Sequence, residues 1–233
     1  MYKFINENAE AILEDADKPK GKFEKYIKNY LGTLNIDLLS KNAEKYKSNY
    51  RHFYKLRFYS SDSEFFVKYF KSLQEIHTDD LENDTDTLKT LEELIKKFEN
   101  YTKTIQLSFA TKLLHSIDPQ KPIYDQFIAA FYMLPDLENI REREDKLPVC
   151  RDIYDFLEKE YKRIINNKLL SKAIKIFRTK INQIDLTNEE KENAKKITDV
   201  KIIDFYIWQF SKMMKDPKQM NGNDFRKKIK YEM

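Results

Sequence analysis

Glycine is the residue whose scarcity most limits what this chain can fold into. Only Gly21, Gly32 and Gly222 occur among 233 residues, whereas average usage would place about 16 in a chain of this length. Tight hairpin turns and phosphate-binding loops depend on glycine, because it adopts positive φ and lets a ligand approach the backbone closely. The sequence therefore excludes a P-loop, a G-x-G-x-x-G dinucleotide fingerprint and a sheet of short hairpins.

Apolar side chains instead recur at steps of three and four residues through nearly the whole chain. A clear example over 86–99 consists of Leu88, Leu91, Leu94, Ile95 and Phe98. This spacing places them on one face of a helix. Thr187 followed by Glu190 is a capping-box start for a helix over 188–196. Since no alternating apolar and polar run bounded by turn residues indicates a strand, we predict an all-α fold.

The composition favours a folded protein of the cytoplasm. Charged residues make up 35% and aromatic residues 14% of the chain, and disordered chains are poor in aromatics. No apolar run approaches 18 residues, and the N-terminus lacks a basic segment followed by an apolar one, so we expect neither a membrane partner nor secretion. The single cysteine, Cys150, excludes internal disulfides and cysteine metal sites. The histidines His52, His77 and His115 do not stand at ligand spacing, so we expect no metal and no cofactor.

The net charge of +4 conceals blocks of opposite sign. Residues 18–57 contain eleven Lys and Arg against three acidic residues, and 161–180 contain seven bases and no acid. Basic stretches with interleaved aromatics suit a phosphate backbone, since Lys and Arg displace counterions while rings stack on bases. The alternative is the solvated, lysine-rich surface of any highly charged helical protein. The candidates for nucleic-acid binding are Lys103, Lys112, Lys162, Arg163, Lys168, Lys172, Lys175 and Arg178.

An acidic run over 79–86 lies between the two halves of the chain. It lacks the glycine that an EF-hand calcium loop requires, so we interpret it as a solvated connector. We predict an N-terminal helical lobe over 1–78, a connector over 79–87 and a C-terminal helical lobe over 88–233, with one continuous domain as the alternative.

The segment 107–134 is the most informative part of the sequence. It predicts a helix that Asp118-Pro119 ends, a bend containing Pro122, and a second helix with Asp125 at its N-cap. A capping aspartate is a common structural feature. A carboxylate held at a helix N-terminus beside aromatic residues is also a negative charge with a defined direction, because the backbone N–H groups favour its ionised form.

The residues Leu114-His115, Asp118-Pro119 and the run 122–125 (Pro-Ile-Tyr-Asp) resemble the segment that carries the catalytic aspartate of helix-hairpin-helix DNA glycosylases. The run 197–208, Ile-Thr-Asp-Val-Lys-Ile-Ile-Asp-Phe-Tyr-Ile-Trp, is similar to a helix of uncharacterised bacterial proteins that share the middle segment. With their surroundings, the two stretches cover about 40 of the 233 residues. The resemblance implies a two-lobed helical bundle with the glycosylase core.

The resemblance also implies roles for particular residues. Asp125 matches the aspartate that stabilises the positive charge developing as a glycosidic bond breaks, or positions the attacking water. The target nucleotide would be rotated out of the duplex into a pocket. The candidates for lining that pocket are Tyr124, Phe127, Phe131 and Trp208.

Two departures from the family pattern concern the hairpin. Family members have glycines in the turn so that its N–H groups approach a DNA phosphate, but 100–106 contains neither Gly nor Pro. Bifunctional family members, which also cleave the DNA strand, place a Schiff-base lysine at the start of the next helix. This chain has Gln106, Leu107 and Ser108 there. If the protein is an enzyme, we therefore expect a monofunctional N-glycosylase.

Our functional hypothesis is a DNA-binding protein with a degenerate glycosylase-like core and base excision through Asp125. One alternative is a non-catalytic helical interaction protein, such as an accessory or defence-related factor with a protein partner. The other is an RNA-binding helical module, which the Tyr- and Lys-rich region 18–59 favours.

Overall fold

The computed structural model describes residues 1–34, 38–39, 41–56, 63–76, 84–140 and 142–215. Within these ranges there are twelve α-helices and no strand, so the all-α prediction is confirmed. The helices are α1 (Tyr2–Glu7), α2 (Ala9–Ala16), α3 (Lys22–Leu34), α4 (Ala43–Phe53), α5 (Glu64–Glu75), α6 (Asp84–Thr102), α7 (Leu107–Ile117), α8 (Gln126–Tyr132), α9 (Arg143–Asn166), α10 (Ser171–Ile181), α11 (Asn188–Ala194) and α12 (Asp199–Lys215). A 3-10 turn, Leu137–Asn139, lies between α8 and α9.

The capping box at α11 forms as the sequence predicts. The Glu190 backbone N–H donates to Thr187 Oγ1 at 3.2 Å, and the Thr187 N–H donates to Glu190 Oε2 at 2.8 Å. Two backbone donors at the start of the helix are thereby satisfied without help from a neighbouring element.

The helix α12 lies at the centre of the fold. Its side chains are apolar on most sides, and Ile202, Ile203, Tyr206 and Ile207 are completely buried. A helix with this pattern needs neighbours around it, and α12 packs against α1, α2, α8, α9 and α10. The short helix α8 therefore runs beside α12, which brings the residues at the start of α8 next to the polar residues of α12.

Side chains from both predicted lobes contribute to one buried cluster. Phe23 of α3 packs edge-on against Phe177 of α10 and Phe205 of α12, with ring centroids 5.2 and 5.7 Å apart. The helix α6 begins at Asp84, so the last residues of the predicted connector are helical, and residues 79–83 lie outside the described ranges. The division of the chain into two lobes stays a prediction.

A turn without glycine joins α6 to α7. Lys103 adopts a left-handed conformation with φ 61°, and its backbone N–H donates to the Glu99 carbonyl at 2.8 Å. A lysine therefore occupies the conformation that glycine most often supplies after a helix. None of the helices in the described ranges is long and apolar enough to cross a membrane.

Candidate functional site

Two side chains of α7 hold the bend that precedes α8. His115 Nδ1 donates to the Lys121 carbonyl at 2.7 Å, and the Tyr124 backbone N–H donates to Thr111 Oγ1 at 3.0 Å. His115 and Thr111 lie four residues apart and are both buried, so one face of α7 carries both contacts. The chain direction immediately before Asp125 is thus set by hydrogen bonds to a rigid element.

The same bend is anchored to two further helices. Lys121 Nζ and Glu158 Oε1 of α9 form a buried ion pair at 3.1 Å. Thr198 Oγ1, just before α12, donates to the Pro119 carbonyl at 2.7 Å. A buried ion pair costs desolvation energy and needs good geometry to persist, so the Lys121–Glu158 contact requires α9 and the bend to keep one relative position.

Asp125 is the N-cap of α8, as the sequence predicts. Its Oδ1 accepts hydrogen bonds from the backbone N–H groups of Phe127 and Ile128, at 2.8 and 3.0 Å. Its side chain is half-buried, and among the described residues no hydrogen bond reaches its second oxygen, Oδ2. One carboxylate oxygen is therefore used for the cap while the other is left for a ligand.

Asp125 lines a cleft of about 920 Å³, which we call the Asp125 cleft. The basic residues of its lining outnumber the acidic ones. The bases are Lys55, Lys103, Lys112 and Lys146, the acids are Glu99, Asp125 and Glu138, and the aromatic residues are Tyr54, Phe109, Phe127 and Trp208. The cleft thus combines positive charge with flat apolar surfaces, which suits a ligand that contains both phosphate and an aromatic ring.

Lys112 projects from α7 into this cleft. Its Nζ donates to Ser108 Oγ at 2.9 Å. Burial lowers the pKa of Lys112 to about 8, although the carboxylates of Asp125 and Asp204 oppose the shift. The sequence places Lys112 in the middle of its helix, but the fold brings it to the same cavity as Asp125.

A smaller space of about 130 Å³, the inner pocket, adjoins the cleft. The two spaces share Tyr54, Lys55, Lys112, Asp125 and Trp208. Lys201 and Asp204 of α12 also line the inner pocket, and their Nζ and Oδ2 atoms form a buried ion pair at 2.8 Å. Burial lowers the pKa of Lys201, but the Asp204 carboxylate together with the hydroxyls of Tyr26, Tyr54 and Tyr30 outweighs burial and raises this pKa well above its usual value.

Trp208 lines both spaces and lies beside one aromatic ring and two lysines. Phe127 meets its ring edge-on with centroids 5.2 Å apart. The Nζ atoms of Lys55 and Lys212 lie 4.9 and 5.3 Å from the indole centroid, within the range of cation–π attraction. The tryptophan is thus a partly buried wall of the site with positive charge around it.

The other two aromatic candidates lie elsewhere. Phe131 is buried in the core, where its ring contacts those of Tyr2 and Phe210 at centroid distances of 5.9 and 6.1 Å. Tyr124 is half-buried and does not line the cleft or the inner pocket. Of the four aromatic candidates, therefore, only Phe127 and Trp208 line the site. Phe131 lies one helix turn after Phe127 and is buried in the core.

Most of the basic candidates also lie away from the Asp125 cleft. Arg163 makes two hydrogen bonds of 2.7 Å with Glu160, and Arg178 pairs with Asp199 at 2.6 Å. Lys175 lines a separate groove of about 550 Å³ between α2 and α10. The candidates that do not line the cleft are Lys162, Arg163, Lys168, Lys172, Lys175 and Arg178. Lys103 and Lys112 do line it.

Four of the charged residues that sequence reasoning did not assign to the site are Lys55, Lys146, Lys201 and Asp204. For two of them a signal existed in the run 201–208. Lys201, Asp204 and Trp208 stand at i, i+3 and i+7, so they share one face of α12, and all three line the inner pocket. Lys55 lies within the basic, aromatic-rich stretch 18–57 but was not singled out there, and Lys146 carries no comparable sequence signal.

No family model, curated protein or solved structure matches this chain. Across the described ranges, no group of three or more His, Cys, Asp or Glu side chains is arranged to hold a metal ion.

Proposed function

We propose that this protein binds DNA and takes one extruded nucleotide into the Asp125 cleft, where Asp125 assists hydrolysis of the N-glycosidic bond. The observation that carries the proposal is the open Oδ2 of a carboxylate fixed at a helix N-terminus, at the edge of a cleft lined with lysines and aromatic rings. The resemblance of 107–134 to the aspartate segment of helix-hairpin-helix DNA glycosylases points to the same chemistry.

Binding would depend on the cleft lysines. Lys55, Lys103 and Lys146 supply positive charge along the lining, and neutralising phosphates releases condensed counterions from the nucleic acid. Trp208 and Phe127 offer ring faces and edges at the same place, which suits an unstacked base.

Asp125 would act on the sugar of the bound nucleotide. As the C1′–N bond breaks, the electron pair leaves with the base and the sugar becomes positively charged. A carboxylate already oriented by two backbone N–H groups stabilises that charge without reorganising. Water then adds to C1′, one of its protons is released, and the departing base takes up a proton.

Asp125→Asn tests the catalytic part of the proposal. Asparagine is as good an N-cap as aspartate, so the variant keeps the start of α8 while losing the charge. We expect abasic-site formation on a panel of modified and mismatched duplexes to fall by about 10²–10³-fold, with the thermal unfolding midpoint unchanged. Equal activity of the two proteins, or no abasic site from the wild type on any duplex, would overturn the catalytic role.

The salt dependence of duplex binding tests the binding part. Lys103→Gln and Lys146→Gln should each reduce the slope of log K against log salt by about one unit. Lys175→Gln is the matched control, because this lysine lines the groove between α2 and α10 and not the Asp125 cleft. The absence of any duplex binding at low salt would refute the proposal. A smaller slope for Lys175→Gln alone would place the DNA contact on α10 and not in the Asp125 cleft.

A non-catalytic interaction protein is the second candidate function. The observation in its favour is the turn between α6 and α7, where Lys103 occupies the left-handed position at φ 61°. A lysine side chain there hinders the close approach of a phosphate that glycine permits. Stable recovery of a protein partner by a wild type that does not bind duplex DNA would support this function.

A further inference from the structure

Lys201 and Asp204 of α12 line the inner pocket and take no part in the chemistry proposed for the Asp125 cleft. Lys201 Nζ bonds to Asp204 Oδ2 at 2.8 Å and lies 5.2 and 5.6 Å from the ring centroids of Tyr30 and Phe53. Asp204 is only 7% exposed. The pair is therefore held rigidly inside an aromatic shell.

One oxygen of this buried carboxylate remains without a protein partner. Oδ2 of Asp204 accepts from Lys201, whereas no hydrogen bond from the described residues reaches Oδ1, and the residue lines the inner pocket. Oδ1 is not one of the fully enclosed side-chain atoms that lack a partner among the described residues, so it is accessible from the inner pocket. An acceptor that faces a cavity is satisfied when a ligand brings an N–H or O–H group.

The size and walls of the inner pocket limit that ligand. Its volume is about 130 Å³, and a cavity of roughly 150 Å³ is known to accommodate benzene. The rings of Tyr26, Phe53, Phe205 and Trp208 form much of the lining. The pocket therefore matches one flat six-membered ring rather than a fused two-ring system.

The charges of Lys201 and Asp204 determine which hydrogen-bonding groups the edge of the ligand ring must carry. Asp204 Oδ1 beside a lysine ammonium is an acceptor, and an ammonium group is only a donor. A complementary ring carries a hydrogen-bond donor directly beside an acceptor, as pyrimidine bases do on their pairing edge.

We propose that the inner pocket receives a pyrimidine base, with Asp204 Oδ1 accepting from a base N–H and Lys201 donating to the neighbouring base acceptor. This assignment rests on the proposed function, in which the Asp125 cleft holds the sugar and phosphate of the same nucleotide. Lys112 and Asp125, which line both spaces, lie where base and sugar would join.

Intrinsic fluorescence tests the assignment without DNA. Trp208 is the only tryptophan and lines both spaces, so a base that enters the pocket changes its emission. The wild type is titrated with 2′-deoxyuridine, 3-methyl-2′-deoxyuridine and 2′-deoxyguanosine. We expect a saturable change with deoxyuridine and at least about tenfold weaker binding of both other nucleosides, since one lacks the N–H donor and the other exceeds the pocket. Equal binding of the methylated nucleoside, or no saturable change with deoxyuridine, overturns the assignment.

A double variant tests whether the fluorescence change of Trp208 depends on the Lys201–Asp204 ion pair. Lys201→Met with Asp204→Leu replaces the ions by apolar side chains of similar size, which a buried pair tolerates better than loss of one partner. We expect it to lose the saturable change. Asp199→Asn is the control, because Asp199 begins the same helix and pairs with Arg178 outside the pocket. Loss of the signal in the control but not in the double variant contradicts the proposal.

The nucleoside titration and the duplex assays fail independently. Nucleoside binding without duplex binding leaves the pyrimidine pocket standing and removes the proposed function. The opposite result is that the protein binds duplex DNA, but deoxyuridine neither competes with the duplex nor changes the Trp208 emission. That result removes the pyrimidine pocket and leaves DNA binding standing.

Discussion

Acidification from pH 7.5 to 4.5 should destabilise the wild-type protein more than a His115→Gln variant. His115 is completely enclosed, with Nδ1 donating to the Lys121 carbonyl and Nε2 accepting from the Tyr30 hydroxyl at 3.1 Å. Burial lowers the pKa of His115 to about 3, and the positive charge of Lys201 adds to this shift. The folded protein therefore keeps this imidazole neutral over a range in which an unfolded chain protonates it.

The sign and size of the effect follow from linkage. Between an unfolded pKa of about 6.5 and the folded value, the unfolded state binds one more proton, so the free energy of unfolding falls as the pH falls. The loss approaches about 1.4 kcal/mol per pH unit below 6.5, or about 2.7 kcal/mol between pH 7.5 and 4.5. Carboxylates contribute their own pH dependence, but that contribution is common to the wild type and the variant and cancels in their difference.

Urea unfolding followed by far-UV circular dichroism at pH 7.5, 6.5, 5.5 and 4.5 measures this difference. His115→Gln should be less stable than the wild type at pH 7.5 and should approach it as the pH falls. His52→Gln is the control, because His52 is exposed, and its pH profile should run parallel to that of the wild type. A His115→Gln profile that also runs parallel would refute the argument that a neutral buried imidazole holds the bend before Asp125.

Two further substitutions test the contacts that hold this bend. Thr111→Val removes the buried hydroxyl that accepts from the Tyr124 backbone N–H and should cost about 1–3 kcal/mol in urea unfolding, whereas Thr111→Ser should retain most of the stability. Equal stability of the Val variant and the wild type would contradict this role. Lys121→Met removes one member of the buried Lys121–Glu158 ion pair and should cost about 3–5 kcal/mol, and addition of Glu158→Leu should recover most of the loss. A double variant no more stable than Lys121→Met would show that the ion pair is not the contact that matters.

The helices were predictable because their signals are local. Apolar spacing along α6 and the Thr187–Glu190 capping box depend on residues within one or two turns of each other. The position of Asp125 at the start of α8 follows equally from Pro122 and the apolar run behind it. These features need no knowledge of the rest of the chain.

The composition of the site was less predictable. The run over 161–180 contains seven bases and no acid, yet its residues do not line the Asp125 cleft. Lys146, which belongs to no basic run, and Lys55, one of eleven bases in 18–57, do line it. Charge density along a chain does not indicate which charges meet in space, because α10 turns towards α1, α2 and α12 through its apolar face.

The amino-acid sequence alone thus determined an all-helical chain with a carboxylate at the start of α8, because periodicity and capping are properties of neighbouring residues. Tertiary structure decided that Lys112 of α7, Asp125 before α8 and the Lys201–Asp204 pair of α12 surround a shared space. The physical reason is that α12 buries almost its whole surface, and the packing of other helices around it selects which polar side chains face one another.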